Sequence, residues 1–400
     1  MKRLIKKFIP SFLLGLYHFV LAFLGAVLYR FPSRKLKVIG VTGTNGKTTV
    51  VYLTAKILEE AGFKTASLSS IKFKIADRER KNNLKMTMPG RFKLQKFLRE
   101  SLSAGCQYAV LEVTSEGIKQ HRHRFINFNA AVFTNLSPEH IEAHKGFKNY
   151  KKAKGKLFQA VKGIHVINLD DKNADYFLQF SAKKKFGYVS SGAGEIDRGF
   201  ASINLNLALK GEFNKYNALA AICAGLSQGI DLEIAKRAVE KVKGIPGRME
   251  QVISSPFKVF VDYAFTPNAL EKVYQTVKPD SGRMICILGA CGGGRDKWKR
   301  PVLGEIASRY CDEIIVTNED PYDEDPIKII DEVVQGAKGK AEKILDRREA
   351  IKKALILVSP GDTIITTGKG SEPWICLARG KKIPWNEAEI IREEYSSFKK

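Results

Sequence analysis

The sequence predicts an α/β protein built on a parallel, doubly wound sheet that carries a phosphate-binding loop. The first observation is an apolar β-branched run that leads through a glycine-rich turn into a helix, within residues 37–51. The second is the alternation of apolar runs with helical spacing in both halves of the chain, which is typical of parallel sheets covered by helices. The length of 400 residues allows two or three domains with sizeable cores.

The composition indicates a globular and strongly basic protein. The chain is 44% hydrophobic and has a formal net charge of +25, which favours polyanionic partners such as nucleotides, acidic substrates or an anionic membrane surface. Nucleic acid is disfavoured, because the basic residues are spread along the chain without an aromatic-interleaved basic motif. The six cysteines include no C-x-x-C pair, so neither a zinc knuckle nor a disulfide framework is expected, as in a reducing compartment.

The N-terminal segment, residues 1–37, combines an apolar run with basic flanks. No charged residue occurs over 8–29, and Lys or Arg stands at positions 2, 3, 6, 7, 30, 34, 35 and 37. Roughly 20 apolar residues are long enough to span a bilayer. We expect a membrane helix or an in-plane membrane anchor, and a helix packed on the protein itself is the alternative. A cleaved signal peptide is disfavoured, because no small-residue cleavage site precedes Arg30.

The phosphate-binding loop is predicted at Gly43-Thr44-Asn45-Gly46, and Lys47-Thr48-Thr49 opens the following helix. Such a turn directs backbone N–H groups inward, and the helix N-terminus adds partial positive charge. The Lys47 side chain can reach the β- and γ-phosphates, and the Thr48 hydroxyl can hold Mg²⁺. Val41 occupies the place of the first glycine of the general pattern, so the motif is a shortened variant. A plain glycine turn is the disfavoured alternative.

The elements of the first half follow this loop in order. The pattern predicts a helix over 50–61, a strand-like stretch over 65–74, a loop over 87–91 and a helix over 93–102. Buried strands are expected over 108–113 and 130–133. Ligands of doubly wound sheets bind at the carboxyl ends of the strands, where Glu112 and the segment 134–140 both fall.

The second half begins with a less regular stretch. Apolar and polar residues alternate over 203–209, which predicts a half-exposed strand, and a loop over 211–217 and a helix over 218–226 follow. Turn residues at 244–247 indicate a domain boundary. A second α/β pattern then has strands over 259–261, 284–288, 313–316 and 363–366, with helices between them.

Glu112 and His140 are candidate metal ligands. Hard cations prefer oxygen donors, and a carboxylate at a strand end beside a phosphate loop is suited to Mg²⁺. Taken singly, a strand-end Glu or a loop His is more often an ordinary residue. Their order after the phosphate loop favours the ligand interpretation.

Many further motifs resemble one family, the Mur ligases, which are ATP-dependent amide-forming enzymes of peptidoglycan synthesis. The similarity is greatest to the muramoyl-tripeptide synthetase (MurE-type) branch. It rests on the segments GTNGKTT (43–49), LEVTSEG (111–117), TNLSPEH (134–140), NYKKAKGKLF (149–158), GEFNKYNALAA (211–221), GRME (247–250), VDYAFTP (261–267), GGGRDKWKRP (292–301), EDPYDEDP (319–326), GKGSE (368–372) and IPWNEAEIIREE (383–394).

The resemblance implies how ATP and metal are bound. A central ATPase domain over 38–246 and a Rossmann-like amino-acid domain over 247–400 would close on ATP through a hinge near 244–247. Lys47 would neutralise the transferring phosphate, Thr48 and Glu112 would bind one Mg²⁺, and His140 would bind a second. Lys154 matches the family's carbamoylated lysine. The alternative is that it belongs to an ordinary solvated face of a basic helix. The nucleotide contacts implied beyond the loop are Asn214, Asn217, Arg248 and Asp262.

The chain departs from the family at its N-terminus. Only about 37 residues precede the first strand, so we expect the usual UDP-sugar-binding domain to be missing. The muramoyl acceptor would then be held by the central domain, with Thr87, Thr114 and Ser115 as candidates, by a partner protein, or as a lipid-linked form at the membrane.

The amino-acid-selecting motif also differs. Diaminopimelate-adding members have Asp-Asn-Pro-Arg where this chain has Glu319-Asp320-Pro321-Tyr322, and Tyr322 cannot supply the arginine's charge. The acids at 323–325 favour a lysine-like amino acid, or else form a solvated loop. Other candidate substrate residues are Arg295, Asp320, Gly368 and Glu372. Departures at Phe265, Glu116 and Ser371, where the family has His, mean altered specificity or lost activity.

The resemblance therefore predicts a cytoplasmic enzyme that uses ATP, two Mg²⁺ ions and a carbamoylated Lys154 to add an amino acid to a muramoyl dipeptide. Folyl-polyglutamate synthesis and the lipid-linked amidating branch are alternatives within the superfamily. A non-catalytic, membrane-tethered nucleotide-binding protein is the alternative from another class.

Overall fold

The computed structural model describes residues 11–84 and 86–398, so the basic residues at positions 2, 3, 6 and 7 lie outside the described chain. The described residues form two compact units. The first unit comprises the described chain up to Leu136, Lys148–Leu207 and Asn214–Val242. The second comprises Ser137–Phe147, Ala208–Phe213 and the described chain from Lys243 onward.

The helices, in chain order, are α1 (Ser11–Leu28), α2 (Lys47–Glu60), α3 (Arg91–Ser103), α4 (Ser115–Lys119), α5 (Ile141–His144), α6 (Phe147–Ala160), α7 (Ala174–Leu178), α8 (Glu212–Ser227), α9 (Leu232–Glu240), α10 (Pro267–Val277), α11 (Lys299–Tyr310), α12 (Pro326–Gly336), α13 (Arg347–Leu357) and α14 (Glu387–Phe398). Short 3-10 turns occur at Pro32–Lys35, Ile196–Arg198 and Ala378–Gly380.

The strands are β1 (Lys37–Thr42), β2 (Thr65–Leu68), β3 (Lys72–Ile75), β4 (Arg78–Lys81), β5 (Tyr108–Glu112), β6 (Phe128–Phe133), β7 (Ile164–Asn168), β8 (Lys184–Val189), β9 (Gly192–Glu195), β10 (Ala201–Ser202), β11 (Glu250–Ile253), β12 (Lys258–Val261), β13 (Met284–Leu288), β14 (Glu313–Thr317), β15 (Ala341–Ile344), β16 (Thr363–Thr366), β17 (Trp374–Cys376) and β18 (Lys382–Pro384).

The sheet of the first unit has β1 near its centre. Its order in the described chain is β10-β9-β8-β7-β6-β1-β5-β2-β3-β4, parallel from β8 to β2 and antiparallel at both edges. The predicted parallel sheet is therefore confirmed, with antiparallel additions. Val41 pairs with Glu112 and Thr42 with Phe133. The carboxyl ends of three neighbouring central strands, β5, β1 and β6, thus lie side by side, where the phosphate loop begins.

The second unit contains a sheet with helices on both faces. Its order in the described residues is β11-β12-β16-β13-β14-β15, parallel except for β11. One core cluster includes Leu270, Ile306 and Ile330 from α10, α11 and α12, and another includes Ile351 and Ile391 from α13 and α14. The four strands predicted here are confirmed, and the arrangement is doubly wound.

Helix α1 packs sideways against α3 through its small residues. Ala22, Gly25 and Ala26 are buried, and a Cβ at Gly25 would lie 3.6 Å from the Cα atom of Phe92. Within residues 11–84 and 86–398, no helix has the length and hydrophobicity needed to cross a membrane.

Several sequence-based boundaries were wrong. The strand-like stretch 65–74 is two antiparallel strands, β2 and β3, because the chain turns back after Leu68. The predicted strand over 203–209 does not form: its alternation is real, with Ile203 and Leu209 buried, but within the described chain the pairing of β10 with β9 ends at Ser202. The predicted loop over 211–217 is mostly helical, because α8 begins at Glu212.

The cysteine prediction was also wrong for one pair. Cys286 in β13 and Cys311 at the end of α11 form a disulfide, with Cα atoms 6.0 Å apart. The two residues are 25 positions apart and meet only because α11 returns the chain to the sheet. The sequence spacing alone carried no signal of this contact.

Candidate functional site

The phosphate loop is held in place by the segment that follows β6. The Thr44 N–H donates to the carbonyl of Asn135 at 2.8 Å, and the Asn45 N–H donates to Oδ1 of Asn135 at 2.9 Å. The Thr134 hydroxyl and the Asn135 amide both donate to the Asn45 carbonyl, at 2.7 and 3.1 Å. These bonds fix the loop backbone on both sides of Asn45, directly before α2 begins at Lys47. The first N–H groups of an α-helix have no acceptor within the helix itself.

Two glycines of the loop are required by their surroundings. A Cβ at Gly43 would lie 1.9 Å from the Thr134 hydroxyl, and one at Gly46 would lie 2.2 Å from Oδ1 of Asn217. Gly46 caps α2 with φ +81, a left-handed conformation that glycine adopts without strain. The predicted glycine pattern therefore has a steric cause at both positions.

Lys47, Thr48 and Glu112 form a compact polar group beside the loop. The Thr48 hydroxyl donates to Oε2 of Glu112 at 2.9 Å, and the Lys47 ammonium lies 3.9 Å from Oε1 of Glu112 and donates to the Thr44 carbonyl at 2.8 Å. Oε2 of Glu112 also accepts from the Ser70 N–H at 3.1 Å. Glu112 is the last residue of β5 and is 3% exposed. A buried carboxylate therefore lies at the strand end where the sequence predicted a metal ligand.

Lys154 reaches the same loop from α6. Its ammonium donates to the Gly43 carbonyl at 2.6 Å and lies 4.7 Å from the ring centroid of Tyr150. The side chain is buried, with 1% of the residue exposed, so it does not belong to a solvated basic helix face. Tyr150 in turn shares a hydrogen bond with the Thr44 hydroxyl at 3.1 Å.

The two predicted amide residues lie on α8 against the end of the loop. Asn217 donates through Nδ2 to Oδ1 of Asn214 at 3.0 Å, and both are buried. Thr49 is buried in the first turn of α2. The structure thus brings together, within the first unit, the loop residues 43–49 with Glu112, Lys154, Asn214 and Asn217.

The candidate acceptor residues form a second group in the first unit. Thr114 caps α4 by accepting the Gly117 N–H at 3.0 Å, and Ser115 is buried behind it. A Cβ at Gly117 would lie 2.3 Å from the sulfur of Met88, which is the residue after the half-buried Thr87. The loop over 87–90 and the turn at 114–117 are therefore neighbours.

His140 belongs to the second unit, where its own segment is anchored to the loop before α11. It caps α5 with φ 55, and the N–H groups of Ile141 and Glu142 both donate to Asp296 at 3.0 Å. Glu139 forms an ion pair with Lys299 at 2.8 Å. Burial raises the pKa of Glu139 although Lys299 opposes that shift.

Arg248 and Asp262 lie in the part of the second unit that begins at Lys243. Asp262 accepts the N–H groups of Met249 and Ala264, both at 2.7 Å, and burial raises the pKa of its carboxyl. The Arg248 guanidinium lies 4.5 Å from the ring centroid of Tyr263. Asp262 thereby fixes the turn that carries Arg248.

The candidate amino-acid residues Asp320, Gly368 and Glu372 converge on a lysine that the sequence analysis missed. Lys369 is fully buried, and its ammonium donates to Asp320 at 3.0 Å and to Glu372 at 3.1 Å. Glu372 also accepts from the Tyr263 hydroxyl at 3.0 Å. Lys369 stands inside the quoted motif GKGSE, so its position was available but its burial was not.

A buried carboxylate, Glu319, lies beside this group. It accepts a hydrogen bond from the Cys291 thiol at 2.8 Å, and its Oε2 atom has no hydrogen-bond partner among the described residues. Burial, and then the neighbouring Asp320, raise the pKa of Glu319.

Arg295, the candidate contact to the amino acid's carboxylate, is half-buried. Burial lowers the pKa of its guanidinium, but nearby groups led by Cys291 and Tyr263 raise that pKa on balance.

The acids at 323–325 have structural partners. Asp323 accepts the Arg379 N–H at 2.9 Å, Glu324 pairs with Arg300 at 2.9 Å, and Asp325 caps α12.

Phe265 is one of the departures from the family pattern. Its ring centroid lies 4.8 Å from the Lys299 ammonium and 5.0 Å from the Tyr263 ring centroid.

Residues 11–84 and 86–398 contain no cluster of three His, Cys, Asp or Glu side chains suited to a metal ion. Mg²⁺ is usually bound through one or two carboxylates together with waters and substrate phosphates. The Glu112 carboxylate and the Thr48 hydroxyl are oxygen donors of that kind, so the residues present fit such an ion.

Comparison with known proteins identifies both halves of the chain. Residues 41–225 match the Mur ligase middle domain, and residues 247–370 match the Mur ligase glutamate ligase domain. The chain is 40% identical over 400 residues to UDP-N-acetylmuramoyl-L-alanyl-D-glutamate–2,6-diaminopimelate ligase of Syntrophomonas wolfei, covering 93% of this chain and 81% of that protein.

Two further comparisons give proteins of the same kind. The chain is 36% identical to UDP-N-acetylmuramyl-tripeptide synthetase of a Roseiflexus species, with 93% of this chain and 81% of that protein covered. A solved structure of a UDP-N-acetylmuramoyl-L-alanyl-D-glutamate–2,6-diaminopimelate ligase superposes with a TM-score of 0.56 at 30% identity, covering 91% of this chain and 79% of that one.

Proposed function

Because this chain belongs to the Mur ligase family of ATP-dependent amino-acid ligases, we propose that it joins an amino acid to the carboxylate of a muramoyl dipeptide in peptidoglycan precursor synthesis. The observation that carries this proposal is the group formed by Lys47, Thr48, Glu112 and Lys154 around one phosphate-binding loop. A protein that only binds a nucleotide has no need of a buried carboxylate and a second buried lysine there.

The reaction has two steps. A carboxylate oxygen of the acceptor bonds to the γ-phosphorus of ATP as ADP leaves, which gives an acyl phosphate. The amine nitrogen of the amino acid then bonds to the acyl carbon as inorganic phosphate leaves, and the amine loses a proton. The first step brings two anions together, so positive charge at the transferring phosphate is the main requirement.

The residues of the loop meet this requirement in distinct ways. Lys47 supplies a cation, and the N–H groups at the start of α2 supply donors for phosphate oxygens. The Thr48 hydroxyl donates a hydrogen bond to Glu112, so a lone pair on its oxygen remains for a cation. Asn214 and Asn217, together with Arg248 and Asp262, are the proposed contacts to the rest of the nucleotide.

Mg²⁺ would offset the charge of the phosphates, and we propose two ions. Thr48 and Glu112 would hold the first, and His140 with Lys154 the second. Carbamoylation of Lys154 converts a neutral amine and carbon dioxide into a carbamate and a proton, and adds two oxygen donors of the kind that Mg²⁺ prefers. The carbamate nitrogen keeps one N–H group, which can still donate to the Gly43 carbonyl.

The incoming amino acid is proposed to be lysine-like rather than diaminopimelate. Tyr322 stands where diaminopimelate-adding members have arginine, so the charge that would bind a distal carboxylate is absent. Of the nearby carboxylates, Asp320 and Glu372 pair with Lys369, whereas Oε2 of Glu319 has no hydrogen-bond partner among the described residues. The partners of Asp323, Glu324 and Asp325 weaken the contribution of those three acids to this preference. Arg295 would bind the α-carboxylate, with Gly368 and Glu372 at the amine.

The acceptor is proposed to lie beside Thr87, Thr114 and Ser115, either UDP-linked or lipid-linked. A cytoplasmic location follows from the need for ATP. Attachment to the inner face of the cell membrane through residues 1–37 is a separate proposal. It rests on the large apolar residues that α1 exposes.

The test is phosphate release from ATP by the full chain. UDP-linked and lipid-linked muramoyl dipeptides are offered with lysine, ornithine, diaminopimelate and alanine in turn. ADP formation that requires both an acceptor and an amino acid, with lysine ahead of diaminopimelate, is expected. Mg-ATP binding without turnover for any pair would overturn the ligase, and turnover with diaminopimelate alone would overturn the lysine preference.

A further inference from the structure

Helix α1 has two unlike halves. Its small residues face α3, and its large apolar residues face solvent. Nine of the latter are 39–63% exposed, at positions 13, 16, 17, 19, 20, 23, 24, 27 and 28. At 100° per residue these positions cover one half of the helix circumference, while Ala22, Gly25 and Ala26 lie on the other. A contiguous exposed apolar patch of this kind marks an interaction surface.

Contacts along about two turns hold α1 sideways on the first unit. Arg91 of α3 hydrogen-bonds to the His18 ring near the middle of α1. The Phe19 and Phe23 rings lie 5.0 and 5.4 Å from the Phe125 ring, and Gly25 packs on the backbone of Arg91 and Phe92. A helix fixed along its side in this way presents its free half parallel to the protein surface rather than end-on.

Positive charge surrounds the free half. No Asp or Glu occurs before Glu59, whereas eight Lys or Arg residues fall within positions 1–37. Arg30, Arg34 and Lys35 follow α1 and are exposed, as are Lys93 of α3 and Arg124 next to Phe125. A protein partner with an apolar patch would not need this charge, but an anionic lipid surface attracts it.

We propose that α1 docks this protein on an anionic lipid bilayer, with the helix lying in the plane of the headgroups and its large apolar residues inserted among the acyl chains. The proposal concerns a surface outside the catalytic groups and does not depend on which reaction they perform. It assigns the basic flanks to the phosphate groups of the lipids.

The experiment is co-sedimentation of the full chain with two kinds of vesicle, phosphatidylcholine alone and equimolar phosphatidylcholine and phosphatidylglycerol. Binding to the phosphatidylglycerol vesicles is expected, with loss of affinity at raised salt. The test variant replaces Leu16, Leu24 and Leu28 with Gln, which is expected to lower the partition coefficient roughly 30-fold or more.

A matched control carries the same chemical change elsewhere. Ile327, Leu345 and Ile356 are 46%, 46% and 60% exposed in the second unit, and their replacement by Gln is expected to leave vesicle binding within about twofold of the parent. Depth is measured with Val20→Trp and Val27→Trp, using brominated lipids. An in-plane helix gives both positions one depth, whereas a spanning helix places them about 10 Å apart along the membrane normal.

Three results would overturn the proposal. The first is absence of binding to either vesicle. The second is an affinity for vesicles that is the same with and without phosphatidylglycerol and is unchanged by the Leu→Gln replacements, or two different membrane depths for the tryptophans at positions 20 and 27. The third is a dimer in lipid-free solution, detected by light scattering, that the Leu→Gln variant abolishes without any vesicle binding by the parent; this would assign the face to a second copy of the chain.

Discussion

Gly46 allows a direct test of the phosphate loop, because a second glycine, Gly62, shares its positive φ but not its surroundings. Gly46 has φ +81 and Gly62 has φ +85, so alanine at either position must adopt the left-handed region at a cost of about 1–2 kcal/mol. A Cβ at Gly46 would lie 2.2 Å from Oδ1 of Asn217, whereas a Cβ at Gly62 would meet no heavy atom of the described chain within 4 Å. The difference between the two variants isolates the close approach of α8.

The magnitude follows from what Asn217 must give up. Its side chain is buried and donates to Asn214 at 3.0 Å, and a contact of 2.2 Å forces it to move. Breaking a buried hydrogen bond and leaving its groups unsatisfied costs about 1–3 kcal/mol. Gly46→Ala is therefore expected to lower the free energy of unfolding by about 2–5 kcal/mol, against about 1–2 kcal/mol for Gly62→Ala.

The assay is denaturant unfolding followed by circular dichroism, combined with calorimetric titration of Mg-ATP. Gly46→Ala is expected to weaken Mg-ATP binding at least tenfold, about 1.4 kcal/mol, because the loop shifts, while Gly62→Ala keeps the parental affinity. The double change of Gly46 and Asn217 to Ala removes the clash, so its cost should be smaller than the sum of the single costs. Equal losses of stability for Gly46→Ala and Gly62→Ala, with parental nucleotide affinity in both, would refute the reasoning.

Three further outcomes are expected. Lys154→Ala should lose turnover while Mg-ATP still binds, with partial rescue by short carboxylic acids, and full activity in phosphate release would remove the carbamate assignment. Glu112→Gln keeps an acceptor for Thr48 but loses the charge, so half-maximal phosphate release should need about tenfold more Mg²⁺; an unchanged Mg²⁺ titration would contradict this. Burial lowers the pKa of His123 to about 3 from 6.5, so between those values the unfolded chain binds a proton that the folded chain does not. Stability should fall by up to about 1.4 kcal/mol per pH unit as the pH drops through that window, and His123→Gln should flatten the slope; identical slopes in pH-dependent unfolding would count against it.

Strand positions were predictable where the strands are central. The run at 284–288 is continuously apolar and the run at 363–366 is β-branched throughout, as expected of central parallel strands that are buried on both faces. The structure has strands at those residues. The stretch 203–209 shows the limit of such reasoning. Its alternation indicates an extended chain, but a strand also requires a neighbour to receive its hydrogen bonds, and that neighbour is set by the tertiary fold.

The site was predictable where its residues follow strands. The loop residues and Glu112 stand at the ends of β1 and β5, and parallel pairing brings those ends together. Asn135, Tyr150 and Lys369 were missed as site residues, because their roles depend on packing contacts between distant segments. Asn135, for example, differs from any other loop asparagine only in being placed 2.9 Å from the Asn45 N–H.

Lys47 and Lys154 share one physical role at the phosphate loop, because each ammonium covers a backbone carbonyl. Lys47 ends on the Thr44 carbonyl at 2.8 Å and Lys154 on the Gly43 carbonyl at 2.6 Å. Backbone carbonyls would repel an anionic phosphate, so covering them with N–H donors leaves the N–H groups of α2 to dominate the field of the loop. Carbamoylation would keep the donor at Gly43 while replacing the positive charge of Lys154 with a negative one. Lys47 would then remain the cation for phosphate, and Lys154 would become the residue that draws a metal ion toward the loop.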